Sequence, residues 1–173
     1  MIFEINSNLI VEQDYKNFEQ KIYEVYDLFK NFFGAEIMEK YDLFIDNATK
    51  NSGYAPVITR LLRKHLTIKL GVEDFSNKEE IVFEISHEMC HYVFYSLKSL
   101  EKEKADDEEE NICTAMSLII LNMLYPDNIN NWINHVENMK EEKYNKGAKI
   151  ARECNFNITI LKDKIYKICN YKN

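Results

Sequence analysis

The sequence has few chain breakers, with only 4 glycines and 2 prolines among 173 residues. A sandwich or barrel of many short strands needs frequent turns, so this scarcity favours long helices. No apolar run approaches the roughly 18 residues that span a bilayer, because the longest, residues 116–124, contains Asn122. The first residues also lack the basic and apolar stretches of a signal peptide. We therefore expect a cytoplasmic protein with no membrane segment.

The chain also lacks an excess of positive charge and any Cys-x-x-Cys pair. It has 22 basic against 29 acidic side chains, and the resulting charge of −7 argues against a nucleic-acid partner. The four cysteines are scattered, so buried free thiols are expected instead of a disulfide scaffold. Hydrophobic residues make up 46 % of the chain, which is enough to build a core and excludes a disordered tail. The length favours a single domain over residues 1–173.

The spacing of apolar residues predicts an α+β fold with few strands. Phe18, Ile22, Val25 and Phe29 recur at three- and four-residue steps, which indicates a helix over residues 15–33 that ends near Gly34. Extended segments are predicted at 41–45, 54–59 and 65–70. Further helices are predicted at about 78–99, from the acidic run before 110 to 125, at 131–153 and at 158–169.

Two local signals refine this outline. Proline cannot donate to a sheet ladder, so Pro56 places the segment 54–59 at a sheet edge or outside the sheet. Ser76 is followed three residues later by Glu79, and this pattern predicts a capping box at the start of the helix over 78–99. The predicted order is therefore an N-terminal helix, a small sheet with an edge strand, and then mostly helices.

The helix over 78–99 contains the sequence His87-Glu88-Met89-Cys90-His91. Residues four apart share one helix face with Cβ atoms about 6 Å apart, so both imidazoles can bind one metal ion. Zinc accepts imidazole nitrogen at about 2.0–2.1 Å. Glu88 lies about 100° around the helix from His87, where it can reach a water at the metal and act as general base. A helix that merely carries two histidines is the alternative interpretation.

A catalytic zinc site needs a third protein ligand and an open fourth position. The acidic run that begins the next predicted helix offers the candidates, which are Asp106, Asp107, Glu108, Glu109 and Glu110. Eighteen residues separate His91 from Glu110, enough to finish one helix, cross a loop and start an antiparallel neighbour. The other acidic side chains fit a solvated helix start, which the helix dipole favours.

The spacing HExxH, 18 residues, then glutamate resembles the gluzincin pattern of zinc peptidases. In that pattern the glutamate opens a second helix and a small residue follows three positions later. Cys113 is the small residue that follows Glu110, whereas the larger Ile112 follows Glu109. The resemblance therefore favours Glu110 as the third ligand, with Glu109 as the second choice.

Over roughly residues 53–126 the chain is most similar to the ImmA/IrrE family of small cytoplasmic metallopeptidases. The resemblance implies a zincin-like fold with an HExxH helix, a glutamate helix and C-terminal helices. Members of this family commonly cleave transcriptional regulators or repressors, so a protein or peptide substrate is implied. The chain departs from the family pattern at Cys90, where glycine or serine is usual, and in the residues that follow Glu110.

The expected activity is peptide hydrolysis, with zinc on His87, His91 and Glu110 and with Glu88 as general base. The segment 54–59 can pair with a substrate backbone as an added strand. An oxyanion stabiliser is also needed, and the spacing does not choose among three candidates, Tyr125, His135 and Tyr144. Cys90 is expected to face the packed side of its helix, opposite Cys113.

A second interpretation belongs to a different class of function. The same fold can serve as a non-catalytic protein-binding module, such as an antirepressor or an immunity-like factor. Glu88 favours the enzyme, because a structural zinc site does not need a carboxylate at that position. Replacing Glu88 by glutamine separates the two classes.

Overall fold

The computed structural model describes residues 3–5, 12–47, 56–62, 64–98 and 105–171. Its four strands are β1 (Phe3–Ile5), β2 (Asp42–Asn47), β3 (Val57–Leu62) and β4 (His65–Leu70). Its helices are α1 (Glu12–Phe33), α2 (Ala35–Met38), α3 (Lys78–Lys98), α4 (Asp107–Leu124), α5 (Ile129–Glu137), α6 (Glu142–Asn145), α7 (Gly147–Glu153) and α8 (Ile158–Ile168), with a 3-10 turn at Pro126–Asn128. The predicted α+β class is confirmed.

The sheet is mixed, with the strand order β1-β2-β4-β3. β2 lies parallel to both β1 and β4, whereas β3 pairs antiparallel with β4. Alternation of Leu66, Ile68 and Leu70 with half-buried polar residues gives β4 one core face, as its sequence predicts. β3 follows Pro56 and lies at one end of this strand order, so the predicted placement at an edge is confirmed. The first part of the predicted segment, residues 54 and 55, lies outside the described residues.

The core centres on α3 and α4, which pack along each other. Every residue of α4 from Asn111 to Leu121 is buried, as expected of a helix enclosed by other elements. α1 packs on α3 and α7 packs on α4, so the HExxH helix and the glutamate helix lie side by side at the centre of the fold. Within the described ranges, no helix is both long and apolar enough to cross a membrane.

The start of α3 differs from the predicted capping box by one residue. Asn77, not Ser76, provides the cap, because its Oδ1 accepts the backbone N–H of Glu80 at 3.2 Å. Ser76 instead donates its hydroxyl to Asp74 at 2.6 Å. Glu79 is drawn to α5, where its carboxylate accepts the indole N–H of Trp132 at 2.7 Å. A tertiary partner for Glu79 therefore overrides the local pattern.

The single helix predicted over 131–153 is wrong, since α5, α6 and α7 divide that stretch. α5 ends at Glu137, and the N–H of Asn138 bonds back to Asn134 and His135 to close it. The three short helices then fold around α4, which a straight helix cannot do. β1 was not predicted, because three residues are too few to display an alternating pattern.

Gly147 begins α7 where α7 meets α4. A Cβ atom at this position would lie 2.6 Å from Thr114 Cβ and 3.1 Å from the backbone nitrogen of Ala115. These separations are shorter than van der Waals contact, so α7 would have to move away from α4.

We expect Gly147→Ala to lower the free energy of unfolding by about 1–3 kcal/mol, although alanine has the higher helix propensity. Urea unfolding followed by circular dichroism measures the change. The control is Lys149→Ala on the exposed side of α7, for which a change within about 0.5 kcal/mol is expected. Equal stability of Gly147→Ala and the wild type would contradict the close packing of the two helices.

Candidate metal centre

Three of the predicted residues meet where α3 passes α4. The Nε2 atoms of His87 and His91 lie 3.2 Å apart. Glu110 Oε2 lies 3.1 Å from the first of these nitrogens and 3.5 Å from the second. Two imidazoles from adjacent turns of one helix and a carboxylate from the next helix thus direct one atom each to a common point. This group could hold a metal ion.

The spacing of these three atoms fits a zinc ion. Two ligands bonded to zinc at about 2.0–2.1 Å with tetrahedral angles are about 3.3–3.4 Å apart, close to the 3.1–3.5 Å sides of the observed triangle. Two imidazoles with one carboxylate are also a donor set of catalytic zinc, which leaves a fourth position for water or substrate. All three residues line the same cleft, so that position can face it.

Glu109 and Glu110 have different places at the centre. Glu110 faces the Nε2 atoms of both histidines, whereas Glu109 Oε1 lies 2.9 Å from His91 Nδ1 on the far side of the ring. In the tautomer with its proton on Nδ1, His91 donates to this carboxylate and keeps the lone pair of Nε2 for a metal. Lys98 Nζ lies 3.7 Å from the other oxygen of Glu109. The Glu109 residue is only 3 % exposed. The geometry therefore indicates that Glu109 is a positioning residue behind His91.

We expect Glu109→Ala to weaken zinc affinity by about 10–100-fold, because His91 loses the partner that fixes its orientation and its proton. Competition with a chromophoric zinc chelator measures the change. Glu108→Ala is the matched control, since Glu108 is exposed and does not line the cleft. Unchanged affinity in Glu109→Ala, or an equal loss in both variants, would contradict the positioning role.

The charges at the centre are coupled. Burial opposes the charged form of His91, but hydrogen bonds to Glu109 and Glu110 outweigh this and raise its pKa to about 10. Burial acts to raise the pKa of Glu110, but its hydrogen bonds to His87 and His91 outweigh this and hold the pKa well below its ordinary value. Both shifts favour a proton on His91, which zinc would have to displace in order to bind.

Glu88 lies beside this cluster and is 2 % exposed. Burial raises its pKa to about 7, against the effect of His91 and with the help of Glu110 and Glu84. The backbone N–H of Ile58 interacts with its carboxylate, which links the HExxH helix to the edge strand β3. Within the described ranges Glu88 Oε2 has no hydrogen-bond partner. Buried carboxylate oxygens are normally hydrogen-bonded, and water or a ligand in the cleft can provide the partner of this one.

The cleft has a volume of about 1310 Å³ and is lined by α3, β3, the start of α4, α5 and α6. Two of the three candidate oxyanion stabilisers lie in it. The ring centre of Tyr144 is 5.8 Å from that of His87, whereas His135 packs farther along the cleft against Phe83 and Trp132. Tyr125 does not line the cleft, because its ring lies under the ammonium of Lys21 on α1.

Cys90 and Cys113 face each other across the contact of α3 with α4, as predicted. Both cysteines are fully buried free thiols. Burial, with the hydrogen bond to Cys90, raises the pKa of Cys113, so this thiol stays protonated. Its sulfur lies 3.4 Å from His91 Nδ1, on the side of the ring away from the ligand nitrogen. The thiols therefore pack behind the centre.

Compared with known proteins, the chain matches no family model, no curated protein and no solved structure. The resemblance to gluzincins and to the ImmA/IrrE family thus rests on the motif residues alone. The geometry establishes an α+β fold in which His87, His91 and Glu110 form a group that could hold a metal ion. Sequence reasoning missed Phe83, Glu84 and Trp132 as cleft residues, although the first two share the helix face of His87.

Proposed function

We propose that the chain is a zinc-dependent peptidase with a zincin-like fold. In this proposal His87, His91 and Glu110 hold the metal, and Glu88 is the general base. The observation that carries the proposal is the triangle of ligand atoms with 3.1–3.5 Å sides in the wall of a large cleft. Support comes from Glu88, whose buried carboxylate lines the same cleft.

Zinc, when bound, acts as a Lewis acid that polarises a carbonyl and makes a water more acidic. Glu88 takes a proton from the attacking water while the oxygen of that water bonds to the scissile carbonyl carbon. Glu88 then gives the proton to the amine nitrogen as the carbon–nitrogen bond breaks. The contact with Ile58 and the rigid helix hold this carboxylate in place. Tyr144 is the candidate whose ring lies nearest His87, so we assign it to the developing negative charge on the carbonyl oxygen.

The edge strand gives this proposal a way to hold a peptide. Residues 56–60, on β3 and just before it, line the cleft, and β3 lies at one end of the described strand order. An extended substrate can add to such an edge through backbone hydrogen bonds. Because Ile58 also contacts Glu88, a peptide paired here would pass close to the base. A regulatory protein is the substrate class that the family resemblance suggests.

The test uses the full chain and a library of peptides made from a bacterial proteome, with new termini identified by mass spectrometry. We expect new termini with the zinc-loaded protein, none after treatment with 1,10-phenanthroline, and their return when zinc is restored. A protein that binds one zinc ion but creates no new termini would contradict the peptidase and support the binding module.

A further inference from the structure

Away from the metal, the cleft has an aromatic wall. Phe83 lies one helical turn before His87 on α3, and its ring stacks on Trp132 of α5 with centroids 4.8 Å apart and planes at 20°. The indole N–H of Trp132 donates to Glu79 at 2.7 Å, which fixes the ring. Both aromatic side chains line the cleft and are only partly buried. The two rings therefore present a fixed aromatic surface to a ligand in the cleft.

Carboxylates flank this surface. Glu80 and Glu84 line the cleft in one row of α3 that ends at Glu88. Glu84 accepts the N–H of Gly71 at 2.8 Å, and burial, with repulsion from Glu80, raises its pKa to about 7. Among the described residues neither Glu80 nor Glu84 forms an ion pair with lysine or arginine. The row ends at Glu88, whose buried Oε2 has no hydrogen-bond partner among the described residues.

The other charged residues that line the cleft are also mostly acidic. Apart from the metal centre and its immediate carboxylates, Glu88 and Glu109, the lining has four acidic residues and two basic ones. The acidic ones are Glu80, Glu84, Asp107 and Glu141, and the basic ones are Arg60 and Lys140. A cleft with walls of low dielectric focuses such a field and attracts ligands of opposite charge.

We propose that the wall formed by Glu80, Phe83, Glu84 and Trp132 binds a lysine or arginine side chain of the substrate. This inference rests on the proposed peptidase function and names its substrate class, a peptide with a basic residue near the cleaved bond. An ammonium or guanidinium group gains a cation–π contact with the stacked rings and charge-assisted hydrogen bonds to the carboxylates.

The position of the wall sets the position of the basic residue. The α3 residues of the wall lie three to seven positions before His87, which corresponds to about 4.5–10.5 Å along the helix axis. An extended peptide advances about 3.3 Å per residue. The basic residue therefore lies within about three residues of the cleaved bond.

Trp132 makes binding directly measurable, since it is the only tryptophan of the chain. We would titrate zinc-loaded Glu88→Gln protein, in which turnover is expected to be slow, at pH 8, above the Glu84 pKa of about 7. The probes are two blocked alanine hexapeptides that differ only by lysine or norleucine at one position, placed in turn at each position. We expect the best lysine peptide to bind about 10-fold more tightly than its norleucine partner.

A charge-matched pair of variants, each made in the same Glu88→Gln background, assigns the preference to the wall. Glu80→Gln with Glu84→Gln is expected to bring the two dissociation constants to within about twofold of each other. Glu84→Gln keeps an oxygen for the N–H of Gly71. The control, Glu12→Gln with Glu153→Gln, removes the same charge from exposed positions on α1 and α7 and should keep the preference. Circular dichroism checks folding, and Glu80→Gln alone serves if the double variant does not fold.

Equal affinities for the two peptides, or a preference that survives the double variant, would overturn this inference. The outcome is separable from that of the proposed function. Cleavage without a basic preference would support the peptidase and contradict the wall. Lysine-dependent binding by a protein that never cleaves a peptide would support the wall and contradict the peptidase.

Discussion

Replacing Glu88 by glutamine is expected to lower kcat/KM for peptide hydrolysis by about 10²–10⁴-fold. Glutamine fills nearly the same volume in a site that is 2 % exposed, so the fold should be preserved. It cannot accept and return the proton of water. Zinc binding should change little, since His87, His91 and Glu110 are all retained. The measurements are initial rates on a peptide that the wild type cleaves, and the zinc content of the same samples.

Glu108→Gln is the matched control for this result. Glu108 is exposed at the start of α4 and does not line the cleft, so its variant should hydrolyse peptide at the wild-type rate. Full activity in Glu88→Gln with normal zinc content would remove the general base from the mechanism. Loss of zinc in Glu88→Gln would instead show that this carboxylate is needed to assemble the centre.

Replacing Glu110 by alanine is expected to weaken zinc binding by at least about 100-fold. This change removes an oxygen that lies 3.1 and 3.5 Å from the two ligand nitrogens, whereas loss of a residue behind a ligand costs only about 10–100-fold. Thermal unfolding gives a second measurement, because zinc at 100 times its Kd stabilises the folded state by about 2.7 kcal/mol. At that zinc concentration Glu110→Ala should show little of this stabilisation.

The same experiment separates the two neighbouring glutamates. If Glu110 is the ligand and Glu109 positions His91, the loss in Glu110→Ala exceeds the loss in Glu109→Ala. The reverse order would exchange their assignments. Glu108→Ala shares the exposed first turn of α4 and accounts for any general effect of removing a negative charge there.

Local sequence signals predicted the elements in which one residue pattern dominates. The apolar spacing of α1 and the alternation of β4 both arise from one face that meets the core. Pro56 predicted the edge position of β3 for a local reason, the missing N–H donor. The HExxH motif is also local, since four residues bring two side chains to one side of a helix.

Contacts between distant segments decided the features that sequence did not predict. The stretch after Asn138 bends because α5, α6 and α7 each pack on α4. Glu79 leaves its place in the predicted capping box because Trp132 reaches it from α5. The wall of Phe83 and Trp132 is invisible in the sequence for the same reason, since its two rings come from different helices.

The candidate site also combines features that the sequence predicted with features that only tertiary packing determines. Spacing and family resemblance favoured Glu110 over Glu109, and the structure adds the reason that Glu109 faces the other side of the His91 ring. Spacing could not choose among the oxyanion candidates. Tertiary packing excludes Tyr125 from the cleft and brings Tyr144 next to His87.

We propose above all that His87, His91 and Glu110 form a zinc site. The most direct test is the zinc content of the purified chain after equilibration with zinc and dialysis against metal-free buffer, measured by plasma mass spectrometry. The geometry predicts one zinc ion per chain in the wild type and far less in Glu110→Ala. A wild-type chain that retains no zinc would contradict the site and, with it, the proposed hydrolysis.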